Sequence, residues 1–320
     1  MEYRYQIWQS FSTFHSSINA QKYLLQCYKN IEIQDPEKRS YENCYPFIYY
    51  LDHGKNYYQL SAQAPISIKP ILLFYGMVQL LKACLLTVDP QYPESTSVLA
   101  HGVSTRKRKK RDYDFLKDEV KIQRNGLFPH VAEKMFHVKH LESEKYTMEI
   151  LLARIPEMNN LFKISLEKFN SYRVGQIDDK ELLIPIKILD DLKMTNSRFA
   201  SFLKQQFEFE LNPQQTKNYI SIQINDSVCR YDCSPMQYDY FNQALYLPKD
   251  RVLYDYFPEI LVHYLLLYNL SMISRYETEW WSELLRSYSS LDYPFINNFL
   301  DLSIHKVPYF IYQYLNQKIK

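Results

Sequence analysis

The hydrophobic positions of the first third of the chain alternate between two regimes. Ala20, Tyr23, Leu24, Cys27, Tyr28 and Ile31 recur every three to four residues, which predicts an amphipathic helix over Ser17–Asn30 with Ser17 as its N-cap. A polar segment, Gln34–Tyr41, follows. Phe47–Leu51 is aromatic and reads as a strand or the edge of a short helix, and His53-Gly54 reads as a turn. From Ser67 to Val88 the apolar residues (Ile71, Leu72, Leu73, Phe74, Met77, Val78, Leu80, Leu81, Leu85) fall on every side, which predicts a central core helix without a solvent face. Gln79 and Lys82 interrupt it and Pro70 precedes it, so a buried helix is the better reading than a membrane span. Pro90 and Pro93 prevent its continuation.

Further along, Asp118–Gln123 alternates as a short strand, Asn125-Gly126 reads as a turn, and Pro129 sits in the first turn of a helix to about His140. Thr147–Phe169 carries a helical pattern broken at Pro156. Beyond Glu181 the period changes. Leu182–Leu189, Phe207–Leu211, Tyr219–Ile224 and Leu245–Leu247 are short strand-like runs, separated by Asn212-Pro213 and Asn225-Asp226, and predict a small antiparallel sheet. Helical periodicity returns over Pro258–Arg275, Glu277–Tyr288 and Tyr293–Ile304, before a tail at Pro308–Leu315. The expected fold is therefore mainly α with a smaller antiparallel β insert, an α+β chain. A helical N-terminal part (1–180, with a basic loop at 104–111) precedes a strand-rich insert (181–250). C-terminal helices (251–320) pack back on the N-terminal part, and the apolar helices near 71–88 and 258–275 meet.

Composition adds limits. Apolar residues make 46% and charged residues 23% of the chain, which is ordinary globular usage and excludes bulk disorder. Thirty Tyr stand against five Gly, and the expected use of Tyr is in the core with its hydroxyl at the rim. The net charge of +2 singles out no partner, so only local clustering bears on binding. Cys27, Cys44, Cys84, Cys229 and Cys233 form an odd set without a CxxC pair, as expected of reduced thiols in a cytoplasmic protein. The opening MEYRYQIWQSF has no signal-peptide pattern, so neither export nor membrane attachment is expected. His137 and His140 with Glu133 and Glu142 lack an HExxH spacing, and no Walker loop, GxGxxG or GxSxG occurs; no metal and no cofactor is expected. His263 and Asn269 read as core hydrogen-bonders. Trp280-Trp281 reads as packing at a helix start.

Two constellations carry chemistry. Arg106, Lys107, Arg108, Lys109, Lys110 and Arg111 place six positive charges within about 20 Å if extended, a spacing suited to successive phosphates. The hydroxyls of Ser104 and Thr105 stand beside them as further phosphate donors. The second is Arg124-Asn125-Gly126-Leu127-Phe128-Pro129-His130, whose Arg and His spacing resembles the RNA-cleaving motif of HEPN-type helical nucleases. That resemblance implies a HEPN-like helical body, a homodimer sharing one site, Arg124 stabilising phosphate charge, Asn125 orienting, and His130 acting as acid or base.

Residues 40–130, from SYENCYPFIYY to KIQRNGLFPH, and 262–281, VHYLLLYNLSMISRYETEWW, resemble the YaaC family of Bacillus and related bacteria, and the likeness runs nearly the whole chain. The resemblance implies a cytoplasmic bacterial protein and, from a gene often lying beside that of IMP dehydrogenase, a purine-metabolism partner. The leading expectation is a non-catalytic binder of a phosphate-bearing ligand, nucleotide or RNA, through the basic loop. The alternatives are a metal-independent ribonuclease using Arg124 and His130, and a protein adaptor with a Tyr-rich surface.

Overall fold

The computed structural model describes residues 7–105, 113–139, 141, 144–206, 214, 215, 217–224, 228–288 and 290–319. In chain order the helices are α1 (Ser17–Asn30), α2 (Pro36–Gln63), α3 (Lys69–Leu86), α4 (Leu127–Phe136), α5 (Met148–Ala153), α6 (Asn159–Leu166), α7 (Ile188–Leu192), α8 (Asn196–Gln206), α9 (Glu259–Tyr276), α10 (Thr278–Ser287) and α11 (Asp292–Gln317). The strands are β1 (Val103–Thr105), β2 (Glu119–Ile122), β3 (Lys145–Thr147), β4 (Ser171–Gln176), β5 (Glu181–Pro185), β6 (Gln214–Gln215), β7 (Tyr219–Gln223), β8 (Gln237–Asp239) and β9 (Ala244–Pro248). The class is mainly α with small antiparallel sheets, as expected from the pattern. The chain divides into two compact units, 1–148 with 263–320, and 149–262.

In the first unit α2 and α3 pack along their lengths. The region expected as polar segment, aromatic run and turn is one continuous helix, α2, which passes through Pro46 and through Gly54. Its buried positions, Ser40, Cys44, Phe47, Leu51, Gly54, Tyr58 and Ser61, repeat at alternating steps of four and three, the period of a helix–helix seam. Gly54 is a point of closest approach and not a turn: a Cβ there would lie 2.6 Å from the Leu80 side chain, and one at Gly76 would lie 2.8 Å from the Tyr58 ring. The first turn of α1 is capped by Ser16, whose hydroxyl accepts from the Asn19 amide at 3.4 Å, in place of the expected Ser17.

Helix α3 is the expected core helix, and it is the one described helix long and apolar enough to cross a membrane by composition; 67% of that stretch is buried inside the protein. Contrary to expectation it keeps one partly exposed stripe, which includes Tyr75, Gln79 and Lys82. The anticipated contact between the two most apolar helices is made where Phe74 of α3 packs edge-on against Tyr264 and Tyr268 of α9, at 5.3 and 5.5 Å. The last helix also runs further than its pattern suggested, because α11 continues through Pro308 to Gln317. His263 shares a hydrogen bond with Ser303 at 2.9 Å and Asn269 donates to Asp118 at 2.9 Å, so both polar residues of α9 have core partners. Trp281 is buried and donates to the Ser67 carbonyl at 3.0 Å, while Trp280 lies edge-on to Tyr113.

The first unit also holds a sheet of its own, β1-β2-β3, antiparallel throughout. The second unit holds two more three-stranded sheets, β4-β9-β8 and β5-β7-β6. Of the four expected strands, Tyr219–Ile224 and Leu245–Leu247 are present. Leu182–Leu189 is a strand only to Pro185 before the chain turns into α7, and Phe207–Leu211 lies outside the described residues. Here the buried Arg154 donates to the carbonyls of Val252 at 3.1 Å, Leu253 at 3.4 Å and Asp255 at 3.3 Å, and tacks the chain after β9 to the end of α5. All five cysteines are free thiols.

Candidate functional site

A pair of glycines builds the junction around which the sequence-predicted residues gather. Gly102, with φ of +77°, and Gly126, with φ of +130°, cross so closely that a Cβ on Gly126 would lie 2.3 Å from the Gly102 Cα. Only glycine fits such a crossing. The Asn125-Gly126 turn is thus present, with Gly126 as the cap of α4. The junction is stitched by backbone hydrogen bonds: Leu127 N–H donates to Ala100 (2.7 Å), Phe128 N–H to His101 (3.2 Å) and Gln123 N–H to Gly102 (2.9 Å). The first amides of α4 are therefore used internally, and Pro129 has none to offer. This helix end is closed as a phosphate site.

His130 lies in the first turn of α4 with its Nε2 2.8 Å from a carboxylate oxygen of Asp89, a buried residue just beyond α3. The Tyr92 ring covers it at 5.7 Å. Burial alone raises the Asp89 pKa, but the His130 hydrogen bond, helped by the charges of Lys134 and His130, outweighs it and holds the carboxyl below its ordinary range. Arg124 and Asn125 are exposed and make no side-chain hydrogen bond or ion pair among the described residues. No side-chain hydrogen bond or ion pair joins them to His130 among the described residues. Sequence gave no hint of Asp89, which is 41 residues from its partner. Among the described residues no group of three metal-ligating side chains occurs; His140 and Glu142 lie outside them.

The basic run Arg106–Arg111 lies outside the described residues, and β1 ends at Thr105 immediately before it. The two hydroxyl residues beside the run part company. Thr105 is in register with Val120 on the buried face of the sheet, whereas Ser104 is in register with Lys121 on the outer face. The Ser104 hydroxyl accepts from Gln123 Nε2 at 2.6 Å. Lys121 is in turn directly opposite Lys145, so one row across the outer face reads Ser104, Lys121, Lys145. Both lysines are exposed, and neither forms an ion pair among the described residues. Glu119, opposite Thr147, continues the same face. Like charges placed opposite one another repel. The alternation of Glu119-Val120-Lys121-Ile122 carries the signal for Lys121, but the pairing with Lys145 depends on a strand too short to read.

The second unit contains a cavity of about 660 Å³ between α5, α7 and the segment after β9. Two of its three lysines are matched, Lys249 with Asp191 at 3.4 Å and Lys168 with Glu149, while Lys193 forms no ion pair among the described residues.

Comparison with known proteins identifies one family. The model of the YaaC-like protein family matches residues 12–315, and the chain belongs to that family. No curated protein and no solved structure matches it. None of these comparisons supports the likeness to HEPN nucleases.

Proposed function

We propose that this YaaC-like chain is a non-catalytic binder of phosphate-bearing ligands, RNA in preference to free nucleotides, on the outer face of the β1–β3 sheet and the basic run that continues from it. The observation that carries this reading is the Lys121–Lys145 pair, two exposed like charges held opposite one another, neither of them ion-paired among the described residues. Such a pair is unfavourable by roughly 0.2–1 kcal/mol in the free protein, and a row of phosphates relieves it. The run that follows Thr105 in the chain carries six more positive charges. An open sheet face meets successive phosphates of a strand better than the single cluster of a nucleotide.

The test is a titration of a fluorescent single-stranded oligoribonucleotide, with ATP and GTP as competitors, against the parent and a variant with Arg106–Arg111 all changed to Gln. Tight RNA binding by the parent, weak competition by nucleotides and strong loss in the variant support the proposal. Equal binding by both proteins removes it.

The adaptor reading has one observation of its own, the exposed row Tyr41, Tyr45 and Tyr49 along α2. A partner that is retained after nuclease treatment, and lost when the three tyrosines become Ser, supports it. Retention by the triple variant rejects it.

A further inference from the structure

The partly exposed stripe of α3 is out of character with the rest of that helix. Tyr75, Gln79 and Lys82 follow one another at steps of four and three, on one side of a segment whose other faces are packed. Lys82 extends over the Tyr50 ring at 5.6 Å, and burial lowers its pKa from the ordinary lysine value. It forms no ion pair among the described residues, and the Gln79 amide makes no hydrogen bond among them.

Arg275, near the end of α9, faces the same stripe. Its Nη1 donates to the Tyr75 hydroxyl at 3.2 Å and its Nε to the Ser271 carbonyl at 2.9 Å, and its guanidinium lies over the rings of Tyr75 (5.8 Å) and Tyr276 (5.2 Å). No carboxylate meets it among the described residues. His101 stands between these elements. Its ring is enclosed by Phe74 at 4.9 Å, Tyr268 at 5.8 Å and Tyr75 at 5.9 Å, and neither ring nitrogen has a hydrogen bond among the described residues. Burial, followed by the charges of Arg275 and Lys82, lowers the His101 pKa, so both cations are within electrostatic reach of the imidazole.

Two partly desolvated cations and an unengaged imidazole, with no counter-charge, are costly to keep in a free protein. Lys168 and Lys249 in the second unit, each beside a carboxylate, show the usual solution. Tyrosine rings supply flat apolar surface beside the charges. We infer that Lys82, His101 and Arg275 form a binding site for a small phosphomonoester carried on a planar ring, of the nucleoside monophosphate class, with Tyr50, Tyr75 and Tyr268 as the ring's surroundings and Gln79 as a polar contact. This site shares no residue with the sheet face, so either proposal can fail while the other stands.

Isothermal titration of the full chain at low salt with AMP, GMP, UMP and inorganic phosphate tests it. The expected result is saturable one-to-one binding of at least one monophosphate, tighter than that of phosphate alone. Lys82→Gln and Arg275→Gln should each weaken it about ten-fold or more, and Lys82→Arg should largely retain it. Binding should tighten from pH 8 to pH 6 in the parent and not in His101→Gln. Of the groups facing His101, which are Tyr75, Tyr268, Arg275 and Lys82, none has an ordinary pKa in that interval, and the second ionisation of the phosphate at about pH 6 is common to parent and variant, so the difference between the two reads His101. Measurements on the parent alone keep the idea testable if a variant fails to fold: the ligand should raise the melting temperature and raise the His101 pKa seen by NMR. Absence of saturable binding for every probe overturns the inference, as does binding unaffected by both Gln variants.

Discussion

His101 and His130 flank one glycine junction, yet their surroundings have opposite electrostatic character. His130 follows Gly126 and points Nε2 at the Asp89 carboxylate, 2.8 Å away. His101 precedes Gly102 and has two cations, and no carboxylate among the described residues, in reach. The first arrangement gives its imidazole a carboxylate partner. The second is left with unmatched positive charge, the condition that an anionic ligand corrects. A histidine's sequence neighbours did not distinguish the two cases; the elements that the junction brings against each ring did.

The largest effect should come from breaking the junction that both histidines depend on. Gly126→Ala places a methyl group into the Gly102 backbone at a positive φ, and is expected to cost roughly 3 kcal/mol or more in urea unfolding and to abolish both phosphate-binding activities. Next comes Asp89→Asn, expected to cost about 1–3 kcal/mol at pH 7 by weakening the bond to His130. The folded Asp89 pKa is lowered, so its contribution is present above the unfolded value near pH 4 and is lost as pH falls through the folded pKa. Parent and variant stabilities should therefore converge in strong acid, and monophosphate affinity should stay as in the parent.

His101→Gln should act in another pH window. The folded His101 pKa is lowered below its unfolded value near 6.5, so the unfolded chain takes up the proton first and the parent loses stability as pH drops below about 7. The variant's stability should fall less between pH 7 and pH 5, in thermal melts at matched ionic strength. The smallest effect belongs to Lys121→Gln, within about 0.5 kcal/mol of the parent and in the stabilising direction, because it relieves a like-charge pair.

Helices whose buried residues are large were legible in the sequence. Helix α1 repeats Tyr23, Leu24, Cys27 and Tyr28, and α3 and α9 are dense in Leu and Ile. Helix α2 was hidden because its pattern is inverted. Ser40, Cys44, Gly54 and Ser61 turn inward, Gly54 where α3 comes closest, while Tyr41, Tyr45 and Tyr49 turn outward. Pro308 looked like the start of a tail, yet it lies inside a helix. Strands β1 and β3 are three residues each, too short for a period of two to show.

The candidate sites were legible only in part. Arg124, Asn125 and His130 stood out as a spacing, with the His130 partner Asp89 invisible beside it, whereas Lys82 looked like an interruption in an apolar helix. Its relation to His101 and Arg275 is a product of packing between distant segments. Ser104 and Thr105 read as one hydroxyl pair, but alternation along β1 sends them to opposite faces.

The central claim, that the outer sheet face and its basic continuation bind a phosphate strand, is tested most directly by the salt dependence of RNA affinity. The logarithm of the association constant for a single-stranded oligoribonucleotide should fall linearly with the logarithm of salt concentration. For single strands the slope should shrink by about 0.7 for each phosphate-contacting cation removed, hence by roughly 1.4 in the Lys121→Gln/Lys145→Gln double variant. A slope identical in parent and double variant, or no binding by the parent at low salt, would contradict the account.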